Sequence, residues 1–351
     1  MKKQIFLTAL ALGFSLAISA NIQAQEPDLS TAGGYLRTIG NEHKQISEDM
    51  MSYVSAAAHS RRAKKIEKKR KELVGTMVQA IKKIKRMPGF DGDETYRDAV
   101  VEYLNVRYSV MNEDYAEIVN MEEVAQESYD QMEAYLNLQA KIDQKIDGAH
   151  LKLSEAKRVF ALANNINLVA SDSKLSEKMA KANEVSEYGN KLFLIYFKVK
   201  IEEKHLIEAI QSGDLSAMEQ RKNAILTYSQ EGYEKLREAG YYDADKSLVI
   251  AVNDILNFYK SECNDAVPRF QRFYLIKDQF EQIKVAIDAK KASERTQEDI
   301  DTYNKSVNDY NAAIKSFNKT IADTNKMRGG VIDAYEKARS KFRNKHTPRY
   351  R

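Results

Sequence analysis

From Ile300 to Ile321 apolar side chains return at alternating steps of three and four residues: Ile300, Tyr303, Val307, Tyr310, Ile314, Phe317 and Ile321. Only an α-helix brings such a series onto one face, and the alternating step suits helices packed as in a coiled coil. No strand-like alternation of comparable length occurs elsewhere in the chain. With 4 prolines and 14 glycines in 351 residues, no tryptophan and 30% charged side chains, the composition agrees, because helix interiors exclude proline and disfavour glycine. The sequence predicts an all-α protein.

Two loops suggest how the helices are arranged. MPGFDGDE at 87–94 and GYYDADKS at 240–247 each interrupt an apolar, charge-rich stretch, and Asp91 and Asp93 match Asp243 and Asp245 at an offset of 152. With that offset and no gap, ten positions between 67 and 112 are identical, among them Glu67/Glu219, Lys83/Lys235, Leu104/Leu256 and Asn105/Asn257. The helix before each loop carries a seam, Ala63, Ile66, Leu73, Met77, Ile81 and Ile84 against Leu215, Met218, Ile225, Ser229, Tyr233 and Leu236. The expected architecture is two related antiparallel helical-bundle halves, an internal duplication, with a long C-terminal helical extension. Residues 25–180 would form the first repeat, and residues 181–351 the second repeat with the C-terminal helix and basic tail. Read as a cation site, the first loop falls short, because Asp91 and Asp93 lead straight into a helix without the remaining oxygens of a calcium loop. Asp93 and Asp245 instead stand where a carboxylate can accept from unsatisfied N–H groups at a helix start.

The chain opens MKKQIFLTALALGFSLAISANIQAQE: two lysines, an apolar run from Ile5 to Ala20, then small and polar residues to Ala24. That order is the pattern of a secretory signal peptide, residues 1–24, with cleavage expected after Ala24. The remaining chain offers no run of eighteen apolar residues; LFLIYF at 192–197 is flanked by lysines and fits a buried helix. Export to the periplasm, cell surface or medium is therefore expected, with no transmembrane segment in the mature chain. A single cysteine, Cys263, leaves no intramolecular disulfide. A net charge of only +4 over 351 residues argues against a nucleic-acid binder.

Three stretches, SAAAHSRRAKKIEKKRKEL at 55–73, RMPGFDGDETYRDAVVEYL at 86–104 and DYAEIVNMEEVAQESYDQMEAYL at 114–136, together with the basic ending KHTPRY at 345–350, resemble a family of uncharacterised helical surface proteins from spirochaetes and Bacteroidetes-type bacteria. The resemblance carries no catalytic signature, and it implies an envelope or surface location. Some of that family look like lipoproteins, whereas no cysteine follows the apolar run here.

Sites of chemistry are sparse. A di-iron bundle needs Glu-x-x-His on two helices, and only Glu202 to His205 matches; the residue 152 positions before His205 is Tyr53. Cys263 has Met111 as its counterpart, an exchange that suits a buried core position better than a nucleophile. No P-loop, Rossmann or G-x-S-x-G fingerprint occurs. No catalytic, cofactor or metal residue is assigned, and the chain is read as a non-enzyme. Several of the 20 tyrosines sit on the helical seams, where a buried ring with its hydroxyl at the edge is the ordinary use.

The densest charge is RRAKKIEKKRK at 61–71, eight basic residues against the single acid Glu67. Its counterpart GDLSAMEQRKN at 213–223 keeps the seam with only Arg221 and Lys222 basic, so the fold alone does not call for the excess charge. Arg61, Arg62, Lys64, Lys65, Lys68, Lys69 and Lys71, with the basic tail from Arg339 to Arg351, are the expected contact with an anionic surface. Arg70 and Lys222 fall at the same seam position and are each expected to reach an acid or the surface. The expected role is an envelope or surface interaction protein meeting an envelope protein, a glycan or an anionic surface. The alternative is an α-helical pore-forming or membrane-remodelling protein, with LFLIYF and VFALANNINLVA at 159–170 as its candidate lipid-entering segments.

Overall fold

A computed structural model describes residues 28–60, 62–114, 129–168 and 174–350. The expected signal peptide and Arg61 lie outside the described residues. Among those described there are helices and turns but no strand, so the all-α expectation holds. The chain divides into two compact units: one runs to Glu187 and takes in Arg343 onward, and the other is Tyr188–Phe342. The division falls inside two helices, and the basic ending belongs to the first unit.

The first unit contains α1 (Ala32–His59), α2 (Ala63–Lys85), α3 (Thr95–Ser109) and α4 (Tyr129–Ala163), with a π-helical turn at Val110–Asp114 directly after α3. Thr31 caps α1 by accepting from Gly34 N at 3.1 Å. Helix α2 packs on α1 and α3, and α3 packs on α4. At one end of this core Tyr35 stacks on Phe160 at 5.7 Å, with Phe90 and Tyr96 against the same ring, and the Tyr35 hydroxyl donates to Pro88 O.

The second unit takes most of α5 (Lys174–Ser212), then α6 (Leu215–Ala239), α7 (Ser247–Ser261), a π-helical turn at Glu262–Ala266, α8 (Val267–Asp288) and most of α9 (Gln297–His346). Its end cluster has Tyr188 against Phe342 and Tyr242 at 5.4 and 5.2 Å, and the Tyr188 hydroxyl donates to Gly240 O.

Helices α2 and α6 bury the same register, Ile66, Leu73, Met77, Ala80 and Ile84 against Met218, Ile225, Ser229, Gly232 and Leu236. Ala63, expected on this seam, is exposed, and Ile81 and Tyr233 are half-buried. The face instead centres on Ala80 and Gly232; at Gly232 an added Cβ would stand 2.9 Å from the Leu256 side chain, so the small residue admits a close neighbour.

The two loops are corners of one kind. Phe90 and Asp93 exchange backbone hydrogen bonds across Asp91 and Gly92, both at positive φ (49° and 83°); at the second corner Asp245 N donates to Tyr242 O at 2.8 Å across Asp243 and Ala244, also both at positive φ (46° and 63°). Asp93 Oδ1 accepts from Thr95 N at 2.8 Å and Asp245 Oδ1 from Ser247 N at 2.9 Å. Hydrogen bonds from the Thr95 side chain first, and then from its backbone N–H, hold the Asp93 carboxyl below its ordinary range. The aspartates act as helix-start acceptors.

The apolar seam expected from Ile300 to Ile321 takes a modified form. In α9 the buried line is Ser306, Ala313, Thr320 and Thr324, while Tyr303, Tyr310 and Phe317 flank it, half-buried against Phe280 and Phe273 of α8. Ile300 is exposed. Small residues at the centre and rings on either side let the side chains of the two helices interlock.

Candidate anion-binding face and cleft

The basic run forms the first half of α2. Ile66 and Leu73 turn into the core, which leaves Lys64, Lys65, Lys68 and Lys71 exposed and Lys69 and Arg70 half-buried. Pairing within the helix divides the cations into two sets. Glu67 takes Arg70 at 2.8 Å and Lys71 at 3.9 Å; Glu72 takes Lys69 at 2.7 Å and Lys68 at 3.8 Å. The Arg70 contact holds the Glu67 carboxyl below its ordinary value, and the Lys69 contact does the same for Glu72. Arg62, Lys64 and Lys65 have no ion-pair partner among the described residues.

Arg70 and Lys222 both meet acids: Arg70 reaches Glu67 and also donates to Met111 O at 2.7 Å, and Lys222 reaches Glu219 at 3.1 Å.

Arg62 sits at the N-cap of α2 and offers its terminus no side-chain acceptor, and no acid lies in the first turn. Beside it opens a cleft of about 580 Å³, formed by the end of α1, the start of α2 and the returning C-terminal residues. Its cations are Arg62, Lys65 and Lys69 from the start of α2 and Arg349 from the far end of the chain; among the described residues no lining side chain is an acid. The C-terminal segment is pinned over this place. His59 Nε2 lies 3.1 Å from Thr347 O and His59 Nδ1 2.5 Å from Asn344 Oδ1. Ser55 Oγ accepts from Tyr350 N at 3.1 Å and donates to Tyr350 O at 3.4 Å. Lys178 Nζ donates to Arg349 O at 3.2 Å.

Of the expected binding residues, the structure therefore brings Arg62, Lys65 and Lys69 to one cleft, and leaves Lys64, Lys68 and Lys71 outside its lining. His59, Ser55 and Tyr350 were not singled out in the sequence, because their roles depend on contacts nearly three hundred residues apart.

The remaining candidate chemistry is occupied elsewhere. Glu202 pairs with Arg221 at 3.1 Å and His205 with Glu208 at 3.1 Å, and no group of three or more metal-ligating side chains occurs among the described residues. Cys263 is buried in the second π-helical turn; burial first, then the Glu262 charge, pushes its thiol up to about 12. No helix among the described residues is long and apolar enough to cross a membrane.

A second polar cluster, missed in the sequence, lies inside the second unit. Arg328 of α9 bridges Glu203 of α5 and Glu262 of the π-helical turn. Burial, then the Glu203 charge, raises Glu262 to about 7, and burial raises Glu203 as well, against the pull of Arg328. The signal was available: 152 positions before Glu262 stands Val110, fully buried, so Glu262 occupies a core register.

In comparison with known proteins, no family model, no curated protein and no solved structure matches the chain.

Proposed function

We propose that the chain is an exported, non-catalytic envelope or surface interaction protein, built from two related helical halves, that meets anionic envelope components through the basic start of α2. The observation that carries this reading is the set of cations, Arg62, Lys64 and Lys65, that have no ion-pair partner among the described residues, at a helix N-terminus with no side-chain cap of its own. A helix start favours negative charge, and cations on a regular face add weak contacts to a polyanion. The relatedness of the halves is supported by the shared buried register of α2 and α6, the matched corners, and the π-helical turns after α3 and α7. In those turns Ser109 donates to Glu113 and Ser261 to Asp265. Envelope location rests on the leader-like sequence at 1–24 and the family resemblance.

The test is retention of the mature chain on anionic vesicles and on an acidic polysaccharide across a salt series, against a chain with Lys64, Lys65, Lys68 and Lys69 changed to Gln. Native retention at low salt that fades as salt screens the charges, and is lost in the variant, is the expected result. Equal behaviour of the two chains would reject the reading.

A further inference from the structure

The charge of the α2 face is not spread evenly. Outside the cleft, Lys68 and Lys71 share Glu72 and Glu67 with neighbours and are largely exposed. Inside it, Arg62, Lys65, Lys69 and Arg349 converge from two distant parts of the chain with only Glu72, on Lys69, as an ion-pair partner among the described residues. Like charges gathered at one place repel unless something answers them. The segment that carries Arg349 is nonetheless fixed there by Ser55, His59 and Lys178 through main-chain contacts. The fold thus brings a fourth cation, whose guanidinium also donates to Asn344 Oδ1 at 3.4 Å, to the lining that three others share.

We propose that this cleft is a discrete binding site for a phosphorylated, sugar-sized group. The inference rests on the anionic-partner reading above and narrows it to one place and one chemistry. A single carboxylate would answer one of four positive charges, whereas a phosphomonoester brings close to two and presents its oxygens in several directions, which suits two guanidinium forks and two ammonium groups. A volume of about 580 Å³ is far larger than a bare phosphate and lies in the range of small-ligand pockets. The serines and the Tyr350 ring that complete the lining suit a hydroxyl-bearing body. The source is a soluble sugar phosphate or the phosphorylated headgroup of an envelope lipid or glycan; the chemistry recognised is the same.

Calorimetric titration of the intact chain separates these outcomes, with glucose 6-phosphate, glucose and vesicles containing phosphatidylinositol phosphate as probes. The chains compared are native, K65Q/R349Q, and K82Q/K85Q, which removes the same charge from the exposed far end of α2, outside the cleft and the basic run. Saturable binding of glucose 6-phosphate but not glucose is expected, about tenfold or more weaker in K65Q/R349Q and unchanged in K82Q/K85Q. Vesicle binding that follows the same pattern assigns the phosphate to a headgroup; vesicle binding indifferent to K65Q/R349Q assigns it to a soluble ligand. Equal weakening in both double variants would overturn the discrete site while leaving the general anionic reading intact, and no saturable binding of either phosphate would overturn it too. Should K65Q/R349Q fold poorly, hydrogen exchange on the native chain decides: glucose 6-phosphate should slow exchange in 343–350 and the first turn of α2, and no slowing there would refute the site.

Discussion

Helices α2 and α6 start 152 residues apart and bury the same five register positions, yet their first residues have opposite chemistry. At α6 the N-cap is Asp214, whose carboxylate accepts from Ala217 N at 2.9 Å; at α2 the same place holds Arg62 and no side-chain acceptor. Both termini make the same electrostatic demand. In the second unit a side chain meets it; in the first the N-cap makes no side-chain hydrogen bond, the first turn holds no acid, and further cations stand around it.

The interiors diverge in the same manner. In the first unit the buried polar layer gathers His43, Arg107 and Lys157, with half-buried His150 beside it and Tyr103 against both histidine rings. Burial holds His43 at about 4, with Arg107, Lys157 and His150 pushing it the same way. In the second unit the layer is Glu203, Glu262 and Arg328, joined by Tyr259. Similar helix registers therefore enclose a layer of potential cations in one unit and a carboxylate pair in the other. A helical scaffold constrains where side chains point far more than which charge they carry, provided each buried charge finds a partner.

The largest expected effect comes from breaking the second layer. Arg328→Met leaves two carboxylates buried without their bridge and should destabilise the second unit by about 3–5 kcal/mol in denaturant unfolding. Glu262→Gln should cost much less, because that carboxyl already holds its proton up to about pH 7.

Next in size is pH. Glu262 is raised in the folded chain from an ordinary 4.5 to about 7, so between those values the native state binds the extra proton, and the second unit loses stability as pH rises through the window. His43 is lowered from 6.5 to about 4, so there the unfolded state binds the extra proton, and the first unit gains stability as pH rises from about 4 to 6.5. Each slope is worth on the order of 3 kcal/mol at full extent. Hydrogen exchange followed separately in core helices of the two units from pH 4 to 7.5 should show opposite trends, and Glu262→Gln should flatten only the second.

How much of this was legible in the sequence depends on the range of the interaction. The helices, the corner aspartates and the Arg70/Glu67 and Lys222/Glu219 pairs follow from periodicity and from neighbours within one turn, which a sequence displays directly. The Glu203–Arg328–Glu262 bridge joins residues from three elements, and the docking of Tyr350 on Ser55 spans nearly the whole described chain; neither leaves a local pattern. For the cleft, the basic run of α2 was visible and so was the basic ending, but not that Arg349 of that ending would join Arg62, Lys65 and Lys69 in the lining.

A smaller effect is expected at the helix starts. Asp214→Ala removes the cap and should cost the second unit about 1 kcal/mol, and Arg62→Asp should stabilise the first by a similar amount, both read from thermal or denaturant unfolding. Smallest are the corners: Ala244→Gly relieves a residue held at φ 63° and should add about 0.5–1 kcal/mol, while Gly92→Ala, at φ 83°, should cost about the same. Unequal responses at the two corners would weaken the view that they are one structure used twice.

The unmet helix start of α2 is tested most directly by supplying the missing charge from within. Retention on anionic vesicles at low salt, measured for the native chain, Arg62→Asp and Asp214→Ala, should be strongly reduced by Arg62→Asp and left at the native level by Asp214→Ala. Native-like retention of the Arg62→Asp chain, or equal loss in both variants, would contradict the account.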